Sequence, residues 1–397
     1  MQIFALSFFI ITGNNFAINS LNLPMLKAFS MQKKLLNILV VSFLIIFLNN
    51  SIIASERPTE KDSEPTTEEH AEEKGFNPGT FIFAHIRDNY NWHLYSYKGH
   101  HVSIPLPVIL YSKNQGLVSF WSFKLEHDHT YQNFKIAQEG DYINKIIEVD
   151  SQGEFVARPL DISITKNVAA ILISGAFMIF LFISVAKTYN RREGMPPKGV
   201  QSLLEPLILF IRDDIAKNSI GEKNYEKFTP FLLTIFFFIL LNNLLGLVPV
   251  FPGGANVTGN ITVTMALALF TFIITTITGN KNYWKDIFNT PGVPWWLKLP
   301  IPLIPFIELI GVIIKPFVLM IRLFANISAG HIIVLGFFSL IFIFGNMEPA
   351  LGYAVSPVSI AFTIFMSMLE LLVAFIQAYV FTILSAIYFG MASEEEH

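Results

Sequence analysis

Apolar residues in this chain fall into long runs, five of which dominate it from Val168 onward. Val168 to Ala186 is the first; Phe231 to Val248, Ile261 to Thr278, Ile301 to Phe344 and Pro357 to Gly390 follow. A helix needs about 20 apolar residues to cross the ~30 Å hydrocarbon layer, and only helices and closed barrels satisfy their backbone hydrogen bonds there. The runs therefore predict spans at about 168–187, 229–249, 260–279, 301–344 and 356–391. The fold class that follows is an all-α integral membrane protein with five transmembrane helices, its membrane domain covering 166–397. The fourth run, at about 44 helical residues, would extend ~66 Å, twice the hydrocarbon thickness. Such a helix tilts steeply, lies partly across the membrane, or breaks, with Gly311 and Pro316 as the candidate break points. The fifth run is similarly long, and a turn over Gly345 to Ser356 is expected to join the two into a long tilted antiparallel hairpin.

The pattern upstream is different. Met31-Gln32-Lys33-Lys34, an apolar run from Leu35 to Leu48 and the small residue Ala54 have the layout of a cleavable signal peptide, with Met31 as the start and cleavage at Ala54-Ser55. Residues 1–54 are accordingly read as a leader and 55–165 as a polar extracytoplasmic module. The module opens on an acidic linker containing Glu68-Glu69-His70-Ala71-Glu72-Glu73, too poor in apolar residues to fold alone. Runs such as Val108-Ile109-Leu110-Tyr111 and Tyr142 to Ile147 then predict short strands. Seven of the nine His fall here, including His100, His101, His127 and His129, but no ligand spacing organises them, so they are read as solvated surface and no metal site is assigned. Lys187, Arg191, Arg192 and Lys198 after the first span, and Lys281, Lys285 and Lys298 after the third, put those loops in the cytoplasm by the positive-inside rule. The module is then outside and the C-terminus cytoplasmic. Val200 to Lys217 has Leu203, Leu204, Leu207, Ile211 and Ile215 at helical spacing, as expected for an amphipathic helix along the inner interface. The triplets Asn256-Val257-Thr258 and Asn260-Ile261-Thr262 match a glycosylation pattern that a short loop between spans generates by chance.

Composition sharpens this picture. The chain of 397 residues is 52% hydrophobic and 14% charged, with 39 Phe against 27 Lys plus Arg, whereas soluble domains carry about 25% charge. Lipid must serve as part of its solvent. A net charge of −3 gives no basic surplus to recruit phosphate backbones, which argues against nucleic acid as a partner. The absence of Cys removes disulfides, thiolate metal sites and thiol nucleophiles.

Low charge also isolates the chemistry. Between Ile301 and Met391 the charged side chains are Glu308, Lys315, Arg322, Glu348 and Glu370, and Glu348 belongs to the expected turn. A charge at membrane depth costs at least about 2.5–3.5 kcal/mol on insertion scales, so such residues mark function by default. Snorkelling accounts for Lys315, with its long stem, but not for Arg322 near the middle of its run. At ~100° per residue, Glu308, Lys315, Arg322 and Asn326 share one stripe within about 40°, while His331 points to the opposite side. On the antiparallel return helix, Gln377 comes level with Arg322, and Glu370, roughly 10 Å outward of Gln377, comes level with His331, roughly 13 Å outward of Arg322. A carboxylate inside, a guanidinium at the centre and a His with a carboxylate outside describe a proton path interrupted by a fixed positive charge. His and Glu exchange protons near neutral pH; Arg does not.

Lys315-Pro316, the run Ile321-Arg322-Leu323-Phe324-Ala325-Asn326-Ile327-Ser328-Ala329-Gly330-His331, and Glu370 with Gln377 closely resemble the signature of subunit a of the F-type ATP synthase. The resemblance extends from about Lys187 to the C-terminus and includes Asn243-Leu244-Leu245-Gly246-Leu247-Val248-Pro249. It implies a stator in a bacterial inner membrane beside a rotating c-subunit ring, held by b-type peripheral stalk subunits and coupled through the complex to the F1 head. It further implies two offset half-channels, with Arg322 as barrier and partner of the ring carboxylate. His331, Glu370 and Asn243 would belong to the outer channel, Glu308 to the inner, and Asn326 and Gln377 to the neighbourhood of Arg322. Such a chain conducts ions, has no catalytic centre of its own and needs no cofactor. Gly246 stands where some members place an acidic residue, and His331 with Glu370 reverses the Glu and His order of certain bacteria. His331 favours the proton as coupling ion. A secondary ion transporter with a buried Arg/His/Glu relay is the alternative; it should show inverted repeats, and no such duplication is visible. A membrane hydrolase would need a nucleophile and base or a metal cluster, which the spans do not supply.

Overall fold

The computed structural model describes residues 77–393 apart from 98–99, 139, 141, 193–194, 249–250 and 290–302, so the predicted leader and acidic linker lie outside the described residues. Of the described residues, 77–170 with 332–365 form one unit and 171–331 with 366–393 another.

The first unit begins with helix α1 (Pro78–Ile86), followed by eight short strands: β1 (Asn91–Tyr97), β2 (His100–Pro105), β3 (Pro107–Ser112), β4 (Gly116–Trp121), β5 (Phe134–Ile136), β6 (Ile146–Val149), β7 (Phe155–Ala157) and β8 (Leu160–Asp161). They pair antiparallel into three small sheets, β1-β2, β4-β3-β8 and β5-β6-β7. Period-two alternation selects the inward face of β3: Val108, Leu110 and Ser112 are buried, whereas Tyr111 is exposed. Val108 and Leu110 pack with Tyr90, Phe120, Leu125, Phe134 and Ile146 into the module's core. The strand predicted over Tyr142 to Ile147 starts only at Ile146, because residues 142–144 form a turn. Asn144 adopts φ +59° there and its N–H bonds the Ala137 carbonyl at 2.7 Å, a left-handed conformation that Asn tolerates better than its β-branched neighbours.

The membrane part contains α2 (Lys166–Arg191), α3 (Val200–Leu209), α4 (Tyr225–Leu247), α5 (Ile261–Thr278), α6 (Lys281–Phe288), α7 (Leu303–Met347) and α8 (Pro349–Ser393). Five of these, α2, α4, α5, α7 and α8, are long and apolar enough to cross a membrane. α3 continues into a π-helical stretch, Phe210–Lys217, which buries Ile211 and Ile215 while Arg212 pairs with Asp213 on the exposed side. Leu204 is buried on this helix, while Leu203 is 70% exposed.

The hairpin departs from its predicted shape in two ways. α7 runs unbroken through Gly311 and Pro316, so a break is excluded, and 45 residues give it a length of about 68 Å. Pro316 lacks the backbone N–H that would close one helical bond, and the helix continues past that gap. The turn expected over Gly345 to Ser356 shrinks to Glu348 alone, whose N–H bonds the Phe344 carbonyl while its carbonyl accepts from Gly352 N. Pro349 makes this possible, because the first helical residue has no partner for an N–H anyway. Gly345 and Gly352 permit the close crossing: a Cβ on Gly352 would fall 2.7 Å from the Gly345 Cα. Further along, Phe337 stacks on Phe362 with ring centroids 5.2 Å apart.

The core of the second unit is built on α4. Leu232, Ile235, Phe236 and Ile239 are fully buried against Ile211, Ile215, Leu319, Leu323, Phe381 and Phe389. At the end of α8, a Cβ on Gly390 would sit 2.0 Å from the carbonyl oxygen of Ser219, whereas one on Gly336 would meet nothing within 4 Å. Gly390→Ala should therefore cost about 1–3 kcal/mol through forced separation, and Gly336→Ala should be neutral or stabilising by roughly 0.4–1 kcal/mol. Apparent unfolding midpoints of the two variants in detergent check this, and equal midpoints would contradict it.

Candidate functional site

Polar side chains inside these apolar helices gather in one seam of the second unit. Asn242 and Asn243 are both buried on α4 and point to different neighbours. Asn242 donates to the Phe238 carbonyl at 2.8 Å and accepts from Ser174 on α2 at 3.0 Å, a helix tie. Asn243 donates to the Ala374 carbonyl of α8 at 3.0 Å and accepts from Thr258 Oγ1 at 2.5 Å. It thereby links α4, the loop that follows it and α8. That loop packs on α7 as well, Ser328 Oγ donating to the Gly259 carbonyl at 3.2 Å.

His331 and Glu370 meet in the same seam. His331 Nδ1 lies 3.3 Å from Glu370 Oε1, with both side chains largely out of solvent at 15% and 5% exposure. Two glycines lie against the pair. A Cβ on Gly330 would approach Glu370 Oε1 to 2.9 Å, so a larger residue there would displace the Glu370 carboxylate from its place beside His331. A Cβ on Gly246 would lie 3.6 Å from His331 Nε2 and 3.4 Å from the Ala255 carbonyl, which sets the bare backbone of α4 against the imidazole. Glu370 Oε1 and both polar atoms of the Asn256 carboxamide are buried without a hydrogen bond from the described residues.

Arg322 occupies a separate environment. Its neighbours Leu319, Met320 and Leu323 are buried in the core, while Arg322 and Asn326 are exposed on the opposite side of α7, as is Glu308. Among the described residues Arg322 makes no hydrogen bond and no ion pair. Ala325 and Ala329 are exposed on the turns that follow it. Lys315 is half-buried, its Nζ 5.5 Å from the centroid of the Tyr388 ring and 4.0 Å from Met391 Sδ. Gln377 is buried, and among the described residues no hydrogen bond joins it to the exposed Arg322.

The loop residues Asn256 and Thr258, Ser328 and the spacer Gly330 escape a reading based on charge, because none is ionisable. Asn, Thr and Gly concentrated between two apolar runs were the available signal. Asn256 is 5% exposed, so the glycosylation pattern there has no accessible acceptor. Chemically, the seam pairs an imidazole with a carboxylate in a polar pocket, which can hold and pass a proton, and the exposed face carries a cation that cannot.

Comparison with known proteins covers both parts of the chain. Residues 168–390 match the family model described as ATP synthase A chain, and residues 81–162 match a model described as a domain of unknown function. The chain is 43% identical over 245 residues to ATP synthase subunit a of Chloroherpeton thalassium, covering 60% of this chain and 69% of that protein. It is 44% identical over 249 residues to ATP synthase subunit a 2 of Prosthecochloris aestuarii, covering 61% and 72%. With ATP synthase subunit a of Myxococcus xanthus the identity is 40% over 244 residues, covering 60% and 75%.

Asn243→Ala should lower stability by about 1–3 kcal/mol, because it leaves the buried Thr258 hydroxyl without its acceptor and removes the bond to the Ala374 carbonyl. The exposed Asn326→Ala should change it by less than about 0.5 kcal/mol. Thermal inactivation of the two variants in detergent reads the difference; equal losses would count against the bonding described for Asn243.

Proposed function

The chain belongs to the ATP synthase A chain family, a multi-pass membrane subunit of the proton-translocating F0 sector, and we propose that it forms two half-channels separated by Arg322. One observation carries the proposal: an exposed guanidinium, without an acidic partner among the described residues, in the middle of an apolar helix. Such a charge calls for a carboxylate brought to it from outside the chain. A rotating ring of c subunits, each with one carboxylate, supplies that partner in turn. The small side chains of Ala325 and Ala329 leave room for a ring helix to pass close to Arg322.

The outer half-channel runs through Asn243, His331 and Glu370. Their shared polar seam, together with the unbonded carboxamide of Asn256 and Glu370 Oε1, supports a path along which water and these two titratable groups relay protons. Glu308, on the other side of Arg322 along α7, marks the inner half-channel, and Asn326 and Gln377 flank the barrier. Arg322 lowers the proton affinity of the arriving carboxylate, so the proton leaves toward one channel and cannot pass straight to the other. Proton flow then has to turn the ring, which couples it to ATP synthesis in the F1 head while b-type stalk subunits hold this chain still. Residues 1–54 serve as a leader, 55–165 as a module exported across a bacterial inner membrane, and the C-terminus remains cytoplasmic.

Arg322→Ala in the assembled complex should abolish ATP-driven acidification of inverted membrane vesicles. The measurement is quenching of a pH-sensitive dye with ATP hydrolysis followed in parallel; near-normal pumping would refute the assignment of Arg322.

A further inference from the structure

α1 has a composition unlike the polar module that it opens. Pro78-Gly79-Thr80-Phe81-Ile82-Phe83-Ala84-His85-Ile86 contains no Asp, Glu, Lys or Arg. Phe83 is 54% exposed and Phe81 36%. Isolated exposed aromatics are ordinary on a protein surface, so exposure alone decides nothing. What decides is where the helix is fastened. His85 accepts through its carbonyl from Lys166 Nζ at 3.2 Å, and Asp88 accepts from Thr165 Oγ1 at 2.8 Å and from Asn167 N at 3.0 Å. The Asn89 carbonyl takes the N–H of Lys166 at 2.8 Å. Thr165, Lys166 and Asn167 are the start of α2, a helix long and apolar enough to span the membrane. Lys166 and Asn167 are buried by this clamp, at 7% and 3% exposure.

The end of α1 is therefore held within hydrogen-bonding distance of the point where the chain enters the bilayer. Nine residues make a helix of about 14 Å, too short to cross and too short to carry its phenylalanines far from that point. Arg87 follows directly, its guanidinium 5.5 Å from the centroid of the Phe83 ring, with a stem long enough to reach a headgroup phosphate. Aromatic residues with an adjacent cation at the end of a span are the composition of the membrane–water interface. We propose that α1 is an interfacial anchor, seated at headgroup level in the leaflet that α2 enters, with Phe81 and Phe83 in the acyl boundary and Arg87 turned to lipid phosphate. The occupant of this face is lipid, and the assignment rests on α2 being a span, not on the proton path.

The chain has no native Cys, which permits single-site labelling. Nitroxide is attached to Phe83→Cys, to Phe81→Cys as a second position on the helix, and to Lys113→Cys at the exposed β3–β4 turn as an aqueous reference. Each variant is assembled into the full complex in vesicles of phosphatidylcholine and phosphatidylglycerol, and collision rates with oxygen and with a water-soluble nickel chelate are measured by power saturation. The oxygen-to-nickel ratio should be several-fold higher at both helix positions than at Lys113. Ratios equal to that at Lys113 would place α1 in water and overturn the proposal. Labels shielded from both reagents would show a protein partner covering the face, and would overturn it equally.

Discussion

A guanidinium that stays charged at every accessible pH costs about 2.5–3.5 kcal/mol or more at membrane depth, and the architecture around Arg322 is organised by that cost. Its flanking residues Leu319, Met320 and Leu323 are committed to the core, so α7 cannot rotate to bury it. Among the described residues Arg322 also has no acidic partner: Glu370 is turned into the seam beside His331, and Gln377 does not bond it. The charge is left facing outward from an unbroken 45-residue helix, which lends it a fixed position. The proposed division of labour follows from this. A proton-holding pair sits on one face of the hairpin and an immovable cation on the other, with the ring carboxylate required to complete the second.

Glycines stand at several close approaches of α7 and α8. Gly330 lets Glu370 reach His331, Gly352 lets the two helices begin one residue apart, and Gly390 lets α8 end against Ser219. These positions set distances that charged residues then use, so substitutions far from Arg322 can disturb the same path.

The long elements were legible in the sequence because apolar runs in lipid have one outcome, a helix, and their lengths exceed any ambiguity of period. Unbroken helices also made rise-per-residue counting reliable, which is why His331 and Glu370 could be brought level from the sequence and are in contact at 3.3 Å. Counting did not anticipate the hairpin turn, where Pro349 at a helix start shortened the expected loop to Glu348. Neutral polar residues were invisible to a search for charge. Thr258, Asn256 and Ser328 became part of the seam only through hydrogen bonds and burial that no periodicity announces. The module showed the same limit on a smaller scale, since a left-handed Asn144 ended a predicted strand before it began.

The central claim is that the exposed face of α7 at Arg322 meets the ring carboxylate, and a cross-link tests it most directly. Asn326→Cys in this chain is combined with a cysteine placed one helical turn from the ring carboxylate, and the assembled complex is oxidised in membranes. A product joining one copy of this chain to one ring subunit should form and stop ATP-driven pumping until reductant is added. No product from Asn326→Cys, alongside efficient linkage from Phe180→Cys on α2, which is 72% exposed, would contradict the account.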